Sequence, residues 1–175
     1  YGTATITNYM IMVVAVMALA IFSGNSGILS FGHVAFMALG AQISSTLTLP
    51  AMLKTTLMPD LPGFIEQAQL DFVTALILTM VLFAGIAAMT GLVIRKLAAT
   101  VAPIATLGLL IIVNSLIIGA DGVTRGSQAM YGVPNDVGLW IATGCAVIAT
   151  LAASLYRESA AGLSLRASRE DEAAA

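Results

Sequence analysis

The chain has 175 residues, of which 59% are hydrophobic and 9% are charged, and its mean hydropathy is +0.98. A soluble domain carries roughly a quarter charged residues. This composition therefore excludes a water-soluble globular protein and predicts an integral membrane protein. The net charge of −2 excludes the strongly basic pattern of nucleic-acid binding. Cys145 is the single cysteine and lies in an apolar run. One cysteine can form neither an internal disulfide nor a cysteine-based metal site within the chain.

Five apolar segments follow one another along the chain and predict an all-α, polytopic transmembrane helical bundle. They run from about Thr5 to Phe22, Leu29 to Leu49, Phe72 to Ile94, Leu97 to Ala120 and Val137 to Tyr156. The last three contain no charged residue, as a spanning helix requires, because a charge at its centre costs about 2.5–3.5 kcal/mol. Small residues four positions apart, such as Ala84 with Ala88 and Ala142 with Ala146, predict close packing between helices.

The basic residues lie in the gaps between these segments and predict the orientation. Five follow the third and fifth segments, and two lie in other gaps: Arg95, Lys96, Arg157, Arg166 and Arg169 against Lys54 and Arg125. The positive-inside rule places the larger set in the cytoplasm. The loops Pro50 to Asp71 and Asp121 to Asp136 then face outward together, and Gly63 to Leu70 is expected to form a short interfacial helix.

The first two apolar segments are separated by a break that carries no charge. Residues 1–53 contain no Asp, Glu, Lys or Arg, although they are too many for one crossing. Their midpoint, Ser23 to Gly27, is rich in poor helix formers. We expect a discontinuous helix at membrane depth, where irregular backbone is tolerated next to protein or a water-filled cavity and often borders a transport pathway. The alternative is a tight hairpin just outside the membrane.

His33, the only histidine, follows this break. An ionisable group within the membrane is by default a functional hypothesis, here a proton relay. The alternative is a neutral imidazole that fixes helix packing, since no span supplies an acidic partner.

The stretch GNSGILSFGHVAFMALGAQ, residues 24–42, resembles the signature near the start of branched-chain amino acid ABC transporter permeases, G-x-x-G-x-L-S-x-G-H-x-A-F-x-x-x-G-A. The matching residues are Gly24, Gly27, Leu29, Ser30, Gly32, His33, Ala35, Phe36, Gly40 and Ala41. The resemblance implies a discontinuous element in the permease core. The residues expected at the translocation pathway are Gly24, Asn25, Gly27, Ser30, Gly32 and His33.

Two further blocks follow in the order of that family. Residues 104–107 (IATL) resemble the I-A-T-L of a later core helix, and VTRGSQAMYGVP resembles an outward loop with the pattern T-G-G-x-x-G-x-x-G-I-P. The loop keeps Thr124, Gly126, Gly132 and Pro134. It departs at Arg125 and Ala129, where the family has Gly, so its turn geometry is left open. Arg125 could contact a docking partner or be a solvated loop residue.

The C-terminal stretch GLSLRASREDEAAA resembles the cytoplasmic segment that couples these permeases to their ATPase, G-x-x-L-R-A-x-R-E-x-E-x-A-A. The expected coupling residues are Gly162, Leu165, Arg166, Ala167, Arg169, Glu170 and Glu172, and the match also includes Ala174 and Ala175. Ser168 with Asp171 resembles a capping box and predicts that a helix starts there. We therefore expect a transmembrane permease core over residues 1–156 and a coupling segment over 157–175. The alternative is a solvated charged tail.

The resemblance implies a permease subunit of an ATP-driven importer, multi-pass in the bacterial inner membrane, for branched-chain amino acids or related solutes such as urea or amides. Its implied partners are ABC ATPase subunits, a second permease subunit, a periplasmic solute-binding protein and membrane lipid. The family continues with further spans, so we expect this chain to be the N-terminal part of a truncated permease. Neither Lys54 nor Lys96 follows a glycine, so the chain has no phosphate-binding G-x-x-x-x-G-K-[ST] loop.

Two other functional classes are alternatives to an ATP-driven importer. An ion-coupled secondary transporter needs a carboxylate or a carbonyl cage at membrane depth; no predicted span has an acidic residue, which leaves a backbone sodium site at the break. A membrane-embedded enzyme needs an acid–base pair or a metal cage. One histidine and one cysteine argue against it, so we predict no catalytic residues, no cofactor and no metal.

Overall fold

A computed structural model of the chain describes residues 2–28, 30–94, 101–134 and 137–170. Within these ranges all regular structure is helical, which confirms the all-α prediction. The elements are α1 (Gly2–Leu19), a π-helical turn (Ala20–Gly24), α2 (Gly32–Thr48), α3 (Ala51–Leu57), α4 (Gly63–Glu66), α5 (Phe72–Ile94), α6 (Ala102–Gly119), α7 (Asp121–Thr124), α8 (Leu139–Glu158) and α9 (Ala160–Glu170). The interfacial helix predicted over Gly63 to Leu70 is shortened to the single turn of α4.

Four of these helices are long and apolar enough to cross a membrane. They are Gly2–Gly24, Phe72–Ile94, Ala102–Gly119 and Leu139–Glu158. The second predicted segment, Leu29 to Leu49, corresponds to α2, which has 17 residues. At 1.5 Å per residue it extends about 25 Å, less than the roughly 30 Å of the hydrocarbon core. The polytopic bundle is confirmed, with α2 as its short member.

The chain forms two compact units, residues 1–30 with 135–175 and residues 31–134. In the first unit α1 packs along α8. Ala142 and Ala146 are 3% and 5% exposed, so the predicted small-residue pair on α8 is buried. Large apolar side chains such as Met12 and Ile148 are exposed on the outer faces, as expected for helices whose solvent is lipid.

In the second unit α2 packs against α5 and α6. The rings of Phe36 and Phe83 meet edge to face with their centroids 6.2 Å apart, and Ala75 of α5 is fully buried. Ala84 and Ala88, the other predicted small-residue pair, are exposed. Their prediction as a packing site within this unit is wrong, because α5 meets α2 through the face that carries Ala75 and Phe83.

The segments that connect the helices of the second unit form a small folded body, the loop cluster, made of residues 49–71 and 120–134. Its core is Leu49, Leu57, Met58 and Leu61, with Leu53, Ile65 and Met130 packed against it. The amide of Asp60 donates to the carbonyl of Gly122 at 3.2 Å. The two loops predicted to share one side of the membrane therefore do lie at the same end of this unit.

Candidate functional site

The predicted helix break lies a few residues later than the sequence indicates. The chain stays helical through Ser26, with a wider π turn over Ala20–Gly24. Asn25 Nδ2 donates to the carbonyl of Ile21 at 2.7 Å, and Ser26 Oγ donates to that of Phe22 at 2.8 Å. The polar side chains that predicted a break at Ser23 instead bond back to the preceding turn, which lets the helix continue.

Gly27 is the residue at which this helix ends. Its φ is 70°, and its amide donates to the carbonyl of Ser23 at 3.1 Å. This is a left-handed cap that glycine forms without steric cost. Asn25, Ser26 and Ser30, which surround the break, are 5%, 8% and 8% exposed. The polar side chains at this irregular stretch of backbone are thus buried, as membrane depth requires.

The second half of the interrupted element starts against α6. The amide of Phe31 donates to Thr106 Oγ1 at 3.2 Å, and that hydroxyl donates to the carbonyl of Pro103 at 3.0 Å. Thr106 is 3% exposed. Gly32 is buried and His33, the next residue on α2, is half-buried. Two blocks that lie 75 residues apart are thereby joined at the start of α2.

The sequence showed both blocks but not the bond between them. Its only signal was a hydroxyl in the otherwise apolar first turn of α6, at Thr106. Such a group inside a membrane helix needs a partner, since an unsatisfied polar group there is costly.

Thr124 organises the outward loop. Its hydroxyl donates to the carbonyl of Ala120 at 2.9 Å and accepts from the amide of Gly126 at 3.3 Å. Its own carbonyl accepts from Gln42 Nε2 of α2 at 3.0 Å. This residue therefore closes the turn after α7 and ties the loop to α2, which is a physical reason for threonine at the first position of the motif.

Arg125 adopts the backbone geometry that glycine would have. Its φ and ψ are 67° and 8°, a left-handed conformation that costs a side-chain-bearing residue about 1–2 kcal/mol. The guanidinium carbon lies 4.5 Å from the centroid of the Tyr131 ring, and Nη2 donates to Gln128 Oε1 at 3.1 Å. The turn geometry left open by the sequence is kept, and the arginine folds back onto its own loop.

Gly126 and Gly132 are required by close contacts as well as by backbone conformation. Their φ values are 58° and 79°. A Cβ would collide with the carboxylate of Asp121 at the first position and with the side chain of Leu53 at the second. Pro134, the last motif residue, is exposed. Three of the four motif residues thus shape the loop cluster itself.

Lys54 has a buried position that the sequence analysis does not predict. The positive-inside rule assigns it to the outward side, and within the loop cluster its side chain is fully buried. Its Nζ donates to the carbonyl of Ile65 at 3.1 Å and to that of Ala68, and burial lowers its pKa. The available signal was its position between Leu53 and Leu57, on the apolar face of a short helix.

The predicted coupling segment is a helix joined to α8 through a single residue, Ser159. Its hydroxyl donates to the carbonyl of Tyr156 at 2.7 Å and accepts from the amide of Gly162 at 3.2 Å. Ser159 is therefore the N-cap of α9. The predicted helix start at Ser168 is wrong, because α9 is already capped nine residues earlier and runs through Ser168. Asp171, the other half of the predicted capping box, lies outside the described residues.

The remaining coupling residues are distributed along α9. Gly162 is buried, and a Cβ there would collide with the carbonyl oxygen of Tyr156. Leu165 is half-buried, while Arg166 and Ala167 are exposed. The backbone of Arg169 and Glu170 is helical, and Glu172 lies outside the described residues. The glycine of the motif thus lets the first turn of α9 lie directly on the last turn of α8.

Among the described residues, the groups singled out above position the backbone and pack helices. In the part of the chain that the structure describes, no group of three His, Cys, Asp or Glu side chains could hold a metal ion. What the described residues provide is an interrupted helix, a structured loop cluster, and a short helix anchored to the end of a span.

Comparison with known proteins bears on the same stretches. A search of curated proteins found no match, and neither did a search of solved structures. The family model for the permease component of the branched-chain amino acid transport system matches residues 3–175. The match covers the interrupted helix, the loop cluster and α9. The chain, a multi-pass membrane protein, therefore belongs to the family of branched-chain amino acid transport permease components.

Proposed function

We propose that this chain forms part of the permease of an ATP-driven importer in the bacterial inner membrane, which moves branched-chain amino acids or related small polar solutes. Separate ABC ATPase subunits hydrolyse ATP. A second permease subunit completes the pathway, and a periplasmic binding protein delivers the solute to the outward side. In this proposal residues 157–175 couple the permease core, residues 1–156, to the ATPase.

The observation that carries this proposal is the joint between α8 and α9. A coupling helix has to transmit displacement to a membrane-spanning helix, so the connection between the two helices must be rigid. Ser159 bonds to both helices, and Gly162 permits backbone contact between them. Arg166 is exposed two turns from this joint. An anchored helix with an exposed arginine is suited to receive force from a separate subunit.

The interrupted helix supports alternating access as the transport mechanism. Discontinuous helices place free backbone groups along a pathway and can change conformation where they are broken. Here Gly27 ends one half in a left-handed cap, and Thr106 holds the amide of Phe31 at the start of the other. Ser30, Gly32 and His33 belong to this stretch. We propose that solute passes beside these residues, with Gly24 and Asn25 on the preceding half.

The test is reconstitution of the permease with its ATPase subunits. Arg166→Glu reverses the charge on α9 and is expected to abolish permease-stimulated ATP hydrolysis while membrane insertion stays intact. Ser164→Glu is the matched control, because it adds the same side chain to the same exposed helix outside the motif. It should leave most of the stimulation in place.

Unchanged stimulation in Arg166→Glu would contradict the coupling role of α9. Transport into vesicles without ATP, driven by an ion gradient, would contradict the whole proposal in favour of a secondary transporter.

A further inference from the structure

The first unit contains a cleft of about 520 Å³ that shares Arg166 with the proposed coupling helix. It lies where the end of α1 and the π turn face the last turns of α8 and the middle of α9. Its chemically informative lining residues are Met17, Ile21, Asn25, Arg157, Glu158 and Arg166.

The lining changes from apolar to charged along the helix axes. Met17, Ile21 and Ala153 line the cleft, and all three belong to helices that are candidate spans. Arg157 lines it at the end of α8, and Arg166 lines it from α9. A cleft that is apolar along the spans and charged at their ends matches an amphipathic molecule. The apolar part of that molecule would lie along the spans and its polar part at their ends.

The charged end of the cleft has no partner among the described residues. Arg157 and Arg166 are both exposed, and within the described residues neither takes part in a hydrogen bond or an ion pair. Glu158 is the one acidic group among the described lining residues, so the described lining carries a net positive charge. Guanidinium groups bind phosphate oxygens through two parallel hydrogen bonds.

We propose that an anionic phospholipid occupies this cleft, with its phosphate between Arg157 and Arg166 and an acyl chain along Met17 and Ile21. Basic pockets between membrane helices are known to hold anionic headgroups. A soluble phosphate would use only the charged end, and the apolar wall argues for a lipid. The site is independent of which solute is transported.

The test is lipid retention by the purified intact chain in detergent, measured by native mass spectrometry with phosphatidylglycerol and with phosphatidylcholine. Phosphatidylglycerol should be retained selectively. Arg157→Gln should weaken that retention roughly five-fold, the effect expected for one cation near an anionic lipid. Arg125→Gln is the matched control, since its guanidinium belongs to the loop cluster, and retention there should be unchanged.

Glu158→Gln gives a second readout of opposite sign. Glu158 is exposed, so its substitution should leave the fold intact. Removal of this acidic group from the described lining should strengthen phosphatidylglycerol retention. Equal retention of both lipids, or an equal loss in Arg157→Gln and Arg125→Gln, would overturn the proposal. Displacement of bound phosphatidylglycerol by millimolar inorganic phosphate alone would also overturn it, in favour of a free-phosphate site. Complete exclusion of lipid when the ATPase subunits are bound would assign the cleft to a protein partner.

Discussion

The spanning helices and the segments between them are built in different ways. On α1, α5, α6 and α8 most large apolar side chains are exposed, because lipid is as apolar as they are and there is little gain from burying them. The loop cluster and the joint at Ser159 instead depend on a few defined groups: one buried lysine, three left-handed residues and a shared hydroxyl.

This difference predicts where single substitutions matter. Substitution of a residue on an exposed helix surface should have little effect on stability. Substitution of one of the defined groups between the spans should remove a specific contact and destabilise that part of the chain. The predictions below test this contrast, from the largest expected effect to the smallest.

Lys54→Ala should have the largest effect. It leaves the carbonyls of Ile65 and Ala68 without their donor and opens a void in the loop cluster, at a cost of roughly 3 kcal/mol. Limited proteolysis of the detergent-solubilised protein should show faster cleavage within residues 50–71. Met52→Ala, on the same helix but at a side chain that is 84% exposed, is the control and should not change the cleavage rate. Equal rates in both variants would contradict the structural role of the lysine.

Gly162→Ala should separate α9 from α8. The added Cβ meets the carbonyl of Tyr156, and relief of that overlap costs about 1–3 kcal/mol. A spin label at position 166 should become more mobile. Gly144→Ala on α8 adds the same methyl group where nothing lies within 4 Å. It should leave the label unchanged; a mobile label in both variants would mean that glycine content rather than the contact matters.

Substitutions of Arg125 should separate backbone strain from side-chain contacts. Arg125→Ala keeps the left-handed strain and loses the stacking on Tyr131, worth about 0.5–1 kcal/mol, together with the bond to Gln128. Arg125→Gly loses the same contacts but relieves the strain, so it should be closer to the parent in stability. Thermal unfolding of the two variants measures the order. Greater stability of the alanine variant would show that the backbone is not strained.

Protonation of Asp71 should have the smallest effect on stability, and this effect should appear only at acidic pH. Asp71 caps α5, accepting from Thr74 Oγ1 at 2.6 Å and from the Thr74 amide at 3.3 Å. These bonds lower the pKa of Asp71 from its usual 3.8. The cap therefore stabilises the folded chain above that usual pKa, and the contribution is lost as pH falls through the lowered pKa. The acid dependence should disappear in Asp71→Asn; its persistence would assign it to another carboxyl group.

The sequence predicted the spans well because their signal is local. α5 begins at the predicted Phe72 and is helical through Ile94, the last residue described there, as expected for a charge-free run flanked by Asp71 and Arg95. The positive-inside rule likewise predicted that the two outward loops lie on one side of the membrane, because the basic residues are concentrated in the loops of the other side.

The contacts between the spans were not predictable in this way. Lys54 is buried because carbonyls from 11 and 14 residues later accept its protons, and Thr106 meets Phe31 across 75 residues. Ser159 and Ser168 look alike in sequence, and only the packing of α9 on Tyr156 selects the first as the cap. These choices are made by tertiary contacts that a linear pattern does not contain.

The π turn at Ala20–Gly24 has a geometric consequence for the residues beyond it. A turn that holds one extra residue offsets all later positions by roughly 100° around the helix axis, the angle of a single α-helical step. Asn25 and Ser26 thus owe their inward direction to this offset. If the turn tightened to an ordinary α-helical one, both polar side chains would rotate away from the positions they now occupy, while the helix axis itself need hardly move.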